Sequence, residues 1–443
     1  MLGEGEQVLI TGPSGCGKST LARCLVGLIP HLYRGDLKGE IWLDGMCTQT
    51  APLWKLVEKA GMVLQNPQAQ MLATTVEDEI IFGLENLGLV SEEISRRTEE
   101  VLSRFNLLHL RTRNPRTLSG GEGQRVIIAA LLARKSPVLV LDEPLSMLDT
   151  TAAQELVGYL LELAGEGHGV VVGEHRSHYF EHTPSLREFP LISGREVPGA
   201  GDPKPFPLDT TVHFRLVVHA LSVNFGNHRA LKEMELDVKG GQVLALVGPN
   251  GSGKTTLLRS LAGIQAGEGT VATTDGTNLD LGLVYQNPDL QLFNPTVREE
   301  VLYKVDSPNE VLYRWVMTNL GLERYQAASP LLLSEGEKKR LCLAMVLMHR
   351  PKHGVLLDEP TLGQDDHHRT LLGFTAQRLA ESGRLVVVAT HDLAWVLHYA
   401  NNMIVLNDGK AVTRGKPEEL LRGDMLPQST GLKVPPWIWE PLT

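Results

Sequence analysis

The chain has 443 residues, 42% hydrophobic and 21% charged, and a formal net charge of -10 at pH 7. This length accommodates two or three domains, and the acidic balance argues against a general nucleic-acid binder, because that class needs clustered lysine and arginine. The opening residues are polar and acidic, and no apolar run approaches the roughly 20 residues that span a bilayer, so we expect neither a signal peptide nor a membrane span. The four cysteines lack C-x-x-C spacing, which indicates free thiols in a reducing cytosol.

The first half opens with a β-rich run, QVLI, that leads into GPSGCGKST (12–20) and then a helical stretch. This is the phosphate-loop pattern G-x-x-x-x-G-K-[ST]. Its glycines let backbone N–H groups surround phosphate oxygens, its lysine (Lys18) reaches the β- and γ-phosphates, and its hydroxyl (Ser19) holds magnesium. The residues predicted to contact the nucleotide are Gly12, Pro13, Ser14, Gly15, Cys16, Gly17, Lys18, Ser19 and Thr20.

Four further segments follow in the first half: QNP (65–67), SGGE (119–122), a strand ending in LDEP (141–144), and a strand ending near His175. Short Val/Leu strands alternate with amphipathic stretches such as GQRVIIAALLAR, a pattern typical of a mainly parallel α/β sheet. Residues 197–210 are rich in proline and glycine and have no helical periodicity, so they predict a short extended linker.

The second half repeats these features in the same order. QVLALV leads into GPNGSGKTT (248–256), and QNP (286–288), SEGE (334–337), LDEP (357–360) and a histidine follow. His175 follows Glu143, and His391 follows Glu359, by the same 32 residues. Matched order and spacing indicate a duplicated domain, with domains at 1–196 and 211–443 and an irregular tail after Gly423 that packs on the second domain. The chain therefore binds ATP or GTP at two places, the second formed by Gly248, Pro249, Asn250, Gly251, Ser252, Gly253, Lys254, Thr255 and Thr256.

A phosphate loop alone is compatible with kinases, GTPases and helicases. LSGGEGQR followed by VLVLDEP, and LLLSEGEKKR followed by GVLLDEP, resemble the signature and Walker B segments of ATP-binding-cassette (ABC) ATPases. The resemblance covers essentially the whole chain. It implies an α/β fold of two tandem P-loop NTPase domains, each with a mainly parallel sheet, helices on both faces and a helical subdomain. The implied activity is hydrolysis of two Mg-ATP.

The resemblance also implies roles for side chains outside the loops. The glutamates Glu143 and Glu359 polarise the attacking water, the histidines hydrogen-bond the γ-phosphate, and Gln65 and Gln286 contact both magnesium and that water. The predicted magnesium set is Ser19, Gln65, Asp142, Thr255, Gln286 and Asp358.

In this family the signature residues lie at a helix N-terminus, an anion-binding position, and face the nucleotide of the other domain. Two ATP molecules are then sandwiched between the chain's own two domains. The signature residues of this chain are Ser119, Gly120, Gly121, Ser334 and Gly336. Phe225 occupies the place where the family stacks an aromatic ring on adenine; the alternative is a core aromatic residue of a strand.

The segments after each glutamine resemble the ATPase subunits of energy-coupling-factor (ECF) transporters, which import vitamins and transition-metal ions. The shared pattern is QNP-x-x-Q followed by T-V-x-[ED]-E. It implies docking surfaces at 65–79 and 286–300 for a transmembrane scaffold (T-type) protein working with a substrate-capture (S-type) protein, at the cytoplasmic face of the membrane. Nucleic acid is not an expected partner. The alternatives are the ATPase of a sugar importer, and a soluble double cassette that acts on ribosomes or DNA.

The chain departs from the family pattern in two ways. Only eleven residues precede Gly12, so we expect the first domain to lack the β segment and the adenine-stacking aromatic residue that the family carries further upstream, and Glu335 stands where the signature usually has a glycine. A carboxylate beside a triphosphate is unfavourable because like charges repel. Both departures fall on the composite site of Lys18, so we hypothesise that the Lys254 site hydrolyses faster. The alternative is that Glu335 points to solvent and both sites turn over.

Overall fold

The computed structural model describes residues 2–12, 16–64, 67–118, 120–146, 148, 150–175, 177–180, 183, 186–191, 207, 212–226, 228–422, 430, 432, 434 and 438. The chain divides into two compact units, Met1–Glu196 and Val197–Thr443. Of the predicted linker, only Pro207 lies within the described residues. Nowhere in the described ranges is there a helix with the length and apolar character that crossing a membrane requires.

The first unit is built on a five-stranded sheet in the order β4-β5-β6-β1-β7, with every pairing parallel. Its strands are β1 (Gln7–Thr11), β2 (Trp42–Leu43), β3 (Met46–Cys47), β4 (Ala60–Val63), β5 (Val138–Asp142), β6 (Gly169–Gly173) and β7 (Leu186–Pro190). Its helices are α1 (Lys18–Leu25), α2 (Leu28–His31), α3 (Leu53–Lys59), α4 (Val76–Glu85), α5 (Ser91–Arg104), α6 (Gly120–Ala133) and α7 (Thr150–Gly165).

The sheet of the first unit is covered on both faces. Leu9 and Val172 belong to one buried apolar cluster, whereas the next residue along β1, Ile10, and the residue before Val172 on β6, Val171, belong to another. This alternation follows from the two-residue period of a strand, and burial on both faces explains the continuous apolar runs in the sequence. Helices α4, α5 and α6 come between β4 and β5 along the chain. They pack on one another and form the predicted helical subdomain.

The second unit has a six-stranded sheet in the order β12-β13-β14-β10-β15-β16 and a three-stranded antiparallel sheet in the order β11-β8-β9. Its strands are β8 (Arg215–Phe225), β9 (His228–Lys239), β10 (Gln242–Val247), β11 (Glu268–Thr273), β12 (Leu281–Val284), β13 (Gly354–Asp358), β14 (Leu385–Ala389), β15 (Asn402–Asn407) and β16 (Lys410–Gly415). Its helices are α8 (Lys254–Leu261), α9 (Val297–Val301), α10 (Glu310–Asn319), α11 (Glu335–Met348), α12 (Asp366–Glu381), α13 (Leu393–Tyr399) and α14 (Pro417–Leu421).

Two features distinguish the second unit. Its long antiparallel strands β8 and β9 have no counterpart among the described residues of the first unit, where antiparallel pairing is limited to β2 and β3. Near the end of the chain, Ile438 is fully buried in the core of the second unit, and Leu432 and Val434 pack against that core. The fold is the predicted one: two tandem α/β units with mainly parallel sheets.

Candidate nucleotide-binding sites

Each phosphate loop begins with a glycine in a conformation that other residues rarely adopt. Gly12 has φ 144° and Gly248 has φ 151°. A Cβ atom on Gly248 would lie 2.1 Å from the carbonyl oxygen of Leu406, and one on Gly12 would lie 2.5 Å from that of Leu191. Only glycine fits this approach of the loop to the neighbouring backbone.

The loop lysines are buried at the first turn of α1 and α8 and reach back over the loop. Lys18 Nζ donates to the carbonyl oxygen of Gly12 at 2.7 Å, and Lys254 Nζ donates to that of Gly248 at 2.7 Å. The ammonium groups therefore sit beside the turn that the glycines form, at the N-terminus of a helix, where anions bind favourably.

The hydroxyl residue after each lysine contacts the aspartate at the end of a central strand. Ser19 Oγ donates to Asp142 Oδ1 at 2.9 Å, and Thr255 Oγ1 donates to Asp358 Oδ1 at 3.2 Å. Burial raises the pKa of the Asp142 carboxyl, and burial together with Glu359 raises the pKa of the Asp358 carboxyl to about 6. Hydroxyl and carboxylate oxygens are ligands that magnesium prefers. A buried carboxylate that has lost part of its hydration is also stabilised by a divalent cation beside it.

The glutamate after each aspartate has a left-handed backbone conformation. Glu143 has φ 47° and Glu359 has φ 49°. Their backbone N–H groups donate to the carbonyl oxygens of Gly173, at 2.7 Å, and of Ala389, at 2.8 Å, at the end of the adjacent strand. A left-handed conformation is strained for a residue other than glycine, and the hydrogen bond to the adjacent strand holds the backbone in it. Complete burial raises the pKa of the Glu359 carboxyl to about 7.

The two predicted histidines lie beside these glutamates. His391 Nε2 is 3.2 Å from Glu359 Oε1, 3.3 Å from Lys254 Nζ and 3.0 Å from Asn250 Oδ1. In the first unit the histidine ring approaches through its other nitrogen: His175 Nδ1 is 3.9 Å from Glu143 Oε1. Each unit thus brings its lysine, aspartate, glutamate and histidine together, as the spacing predicts.

The signature serine of the second unit starts a helix. Ser334 caps α11, and Ser334 and Glu337 exchange side-chain to backbone hydrogen bonds at 2.8 and 3.4 Å. Gly336 is buried, and a Cβ there would lie 2.7 Å from the carbonyl oxygen of Gly363. Glu335 is partly buried rather than pointing fully into solvent, and this burial raises the pKa of its carboxyl.

The remaining predicted residues are placed as follows. Gln286 is exposed after β12, and Phe225 is 49% exposed at the end of β8, so it is not a core residue. Gly120 and Gly121 open α6. The predictions for Pro13, Ser14, Gly15, Gln65 and Ser119 fall outside the described residues.

The last glutamine and the last glutamate of the pattern QNP-x-x-Q … T-V-x-[ED]-E hold the loop after each QNP segment, a role that the pattern did not predict. In the second unit, Gln291 accepts from Tyr285 N–H at 3.0 Å and donates to the carbonyl oxygen of Leu283 at 3.1 Å. Buried Glu300 accepts the backbone N–H groups of Phe293 and Asn294 at 2.9 and 2.6 Å. Gln70 and Glu79 make the matching contacts in the first unit. The sequence feature that could have revealed this role is the glutamine and glutamate pair, which recurs at the same spacing in both halves.

These geometries make the two clusters candidate phosphate-binding sites of one class, each on an α/β unit. The sequence profile described as "ABC transporter" matches residues 1–146 and 231–362. The chain belongs to the ABC transporter family, whose ATP-binding cassettes hydrolyse ATP.

Relatives resemble the chain over nearly its whole length. It is 33% identical over 496 residues to a candidate HMP/thiamine import ATP-binding protein, YkoD, of Bacillus subtilis strain 168, covering 97% of this chain and 89% of that protein. It is 31% identical to a candidate ABC transporter ATP-binding protein of Saccharolobus solfataricus, covering 94% of this chain and 89% of the relative. Among solved structures, the archaeal ribosome recycling factor aABCE1, in complex with the ribosomal stalk protein aP1, is 25% identical with a TM-score of 0.58, covering 95% of this chain and 88% of that one.

Proposed function

We propose that this chain is the ATP-hydrolysing subunit of an ECF-type importer of a vitamin, a vitamin precursor or a transition-metal ion. The observation that carries the proposal is that both cassettes retain a complete set of lysine, hydroxyl, aspartate, glutamate and histidine in one cluster. The 33% identity to a protein named for HMP and thiamine import supports the transport assignment.

Hydrolysis in each unit rests on positioning and charge. Lys18 or Lys254 and the loop N–H groups hold the β- and γ-phosphates, Glu143 or Glu359 polarises the attacking water, and the histidine bonds the γ-phosphate. Ser19 and Asp142, or Thr255 and Asp358, would hold magnesium, which would supply positive charge to offset that of the phosphates. The raised pKa of Glu359, to about 7, suits a group that accepts a proton near neutral pH.

We further propose that the signature residues of each unit complete the site of the other, so that two ATP molecules are sandwiched within one chain. The support is the position of Ser334 as the N-cap residue of α11, because helix N-termini favour anions. Closing on ATP and reopening after hydrolysis then supplies the movement that drives the transport partner.

The loops at 65–79 and 286–300 are the proposed docking surfaces for the transmembrane scaffold protein, at the cytoplasmic face of the membrane. Their described residues include apolar side chains exposed to solvent: Leu72 is 72% exposed, Leu290 68% and Phe293 63%. Gln291 and Glu300 hold the second loop rigidly, so these side chains are presented in a fixed arrangement. Exposed apolar groups on a rigid loop fit a helical protein partner.

The likeness to the ribosome recycling factor favours a second candidate, a soluble double cassette that acts on ribosomes. The net charge of -10 disfavours it, because ribosome binding through RNA needs positive surface. Two tandem cassettes occur in both candidate functions, so the similarity in fold does not distinguish them.

The test is to purify the tagged chain from detergent-solubilised native membranes and identify the proteins that accompany it. Two small multi-span proteins are the expected result. Leu290→Glu with Phe293→Glu should release them, whereas Ile264→Glu, at an exposed apolar position outside the loop, should not. Recovery only in the soluble fraction with ribosomal proteins would overturn the proposal in favour of the recycling-type function.

A further inference from the structure

Glu174, immediately before the histidine of the first unit, is a fully buried carboxylate that the catalytic scheme above does not use. Its Oε2 accepts the backbone N–H of Leu145 at 3.1 Å, and its Oε1 accepts that of His175 at 2.9 Å. The same Oε1 lies 3.3 Å from Nδ1 of the His175 ring. Each carboxylate oxygen therefore accepts a backbone N–H group, and one of them also lies beside the histidine ring.

The duplicated second unit serves as an internal comparison. The residue before its histidine is Thr390, which is also fully buried, and its Oγ1 is 2.9 Å from Oγ1 of Thr361. In the first unit Leu145 stands in place of Thr361, so its side chain supplies no hydroxyl partner. The neutral pair Thr361 and Thr390 is thus exchanged for Leu145 and a carboxylate that contacts the catalytic histidine.

A carboxylate that is out of water needs hydrogen bonds and a cationic partner to offset its lost hydration. An imidazole N–H donated to such a carboxylate fixes the ring orientation and favours the doubly protonated ring. Within the described part of the chain, the carboxylates of Glu174 and Glu143 lie 3.3 and 3.9 Å from Nδ1 of the ring, and Lys18 Nζ is 3.9 Å from Glu143 Oε1. Of the two carboxylates, Glu174 lies nearer to Nδ1.

We infer that Glu174 is a positioning residue that holds the Nδ1–H of His175 and turns Nε2 toward the γ-phosphate of the nucleotide at the Lys18 loop. This inference rests on the proposed function of that site. In the doubly protonated form that the carboxylate favours, the ring also carries an N–H on Nε2, which can donate to an anionic phosphate oxygen. The second site has no carboxylate at the position of Glu174, so the two sites orient their histidines differently.

The contact is tested on the full chain with ¹⁵N-labelled histidine, without nucleotide, by following the ring nitrogens of His175 against pH. The His175→Gln chain assigns the signal. His175 should stay doubly protonated to a pH higher by about one unit in the wild type than in Glu174→Gln, which keeps the shape and an acceptor oxygen but removes the charge. Glu174→Asp should restore part of the difference, and His391 should not respond. An unchanged His175 titration in Glu174→Gln would overturn the inference.

A double substitution in the second unit tests the same contact by introducing it there. Thr361→Leu with Thr390→Glu copies the first-unit pair into the second unit, and His391 should then hold its second proton to higher pH. A folded transplant in which His391 is unaffected would count against the inference.

The consequence for turnover is measured in a Lys254→Ala background, which isolates the Lys18 site. Glu174→Thr should lower kcat by about tenfold with little change in KM for ATP, and Glu174→Asp should recover part of that loss. A larger KM with unchanged kcat would contradict a positioning role. Absence of ATPase activity in the wild-type chain with its partners would refute the proposed function instead, and the nucleotide-free titration would still decide the role of Glu174.

Discussion

The glutamate that follows strand β13 of the second unit combines two unfavourable features, a left-handed backbone and a carboxyl group with almost no access to water. Glu359 is 3% exposed, and Lys254 and Lys339 only partly offset the burial that raises the pKa of its carboxyl from 4.5 to about 7. Lys339 Nζ also donates to the carbonyl oxygen of Glu359 at 2.9 Å. Burial thus raises the proton affinity of this carboxyl group at the expense of stability, as is common at functional sites.

The raised pKa of Glu359 predicts that the stability difference between the wild type and Glu359→Gln depends on pH. Because the folded-state pKa is above the unfolded one, the folded chain is most stable with Glu359 protonated, below about pH 4.5, and loses that stability as pH rises through about 7. Glu359→Gln stays neutral, so without magnesium and nucleotide it should exceed the wild type in free energy of unfolding by up to about 3 kcal/mol at pH 8.5. The difference should shrink toward pH 5. Calorimetric melting over this range checks it, with exposed Glu268→Gln as control; a pH-independent difference would contradict the pKa shift.

At the scale of elements, the loop between β12 and α9 is held by its own helix. Glu300 on α9 accepts the backbone N–H groups of Phe293 and Asn294 and the side-chain amide of Asn294 at 3.0 Å. The first-unit loop is held by Glu79 on α4 in the same way. Helix and loop therefore form one piece, although the regular structure within the loop is limited to one 3₁₀ turn, Pro288–Leu290.

Removing this carboxylate should loosen the loop. Glu300→Ala leaves two backbone donors without an acceptor, so the free energy of unfolding should fall by about 2 to 4 kcal/mol, whereas exposed Glu299→Ala should cost under about 1 kcal/mol. Chemical denaturation measures both. Amide hydrogen exchange should rise at Phe293 and Asn294 in Glu300→Ala, and unchanged protection there would show that the loop does not depend on Glu300.

At the scale of the whole molecule, the two units are copies that differ at their sites. Phe225 lies on an antiparallel strand pair seen only in the second unit among the described residues, Glu335 stands in the second signature, and Glu174 faces only the first histidine. If each signature serves the opposite site, Glu335 and Glu174 both belong to the site of Lys18. The Lys254 site then combines the intact first signature with the exposed aromatic residue.

Unequal turnover is the expected result. In the assembled transporter, Glu359→Gln should lower ATP turnover by tenfold or more, and Glu143→Gln by clearly less, because in the proposed sandwich the carboxylate of Glu335 lies beside the Lys18 nucleotide and repels it. Steady-state phosphate release from both variants, with the double variant as the baseline, measures this. Equal losses would refute the asymmetry and favour two active sites.

The sequence by itself determined the duplicated α/β units, the phosphate loops and the cluster of lysine, aspartate, glutamate and histidine. Each depends on local backbone requirements, such as the glycine at 248 that no other residue can replace, and parallel strands bring their ends to one edge of a sheet. Only the tertiary structure decided that Glu174 faces His175, that Gln291 and Glu300 hold a loop, and that Phe225 is exposed. These depend on side-chain direction and burial, which arise when segments distant along the chain pack together and which residue spacing does not encode.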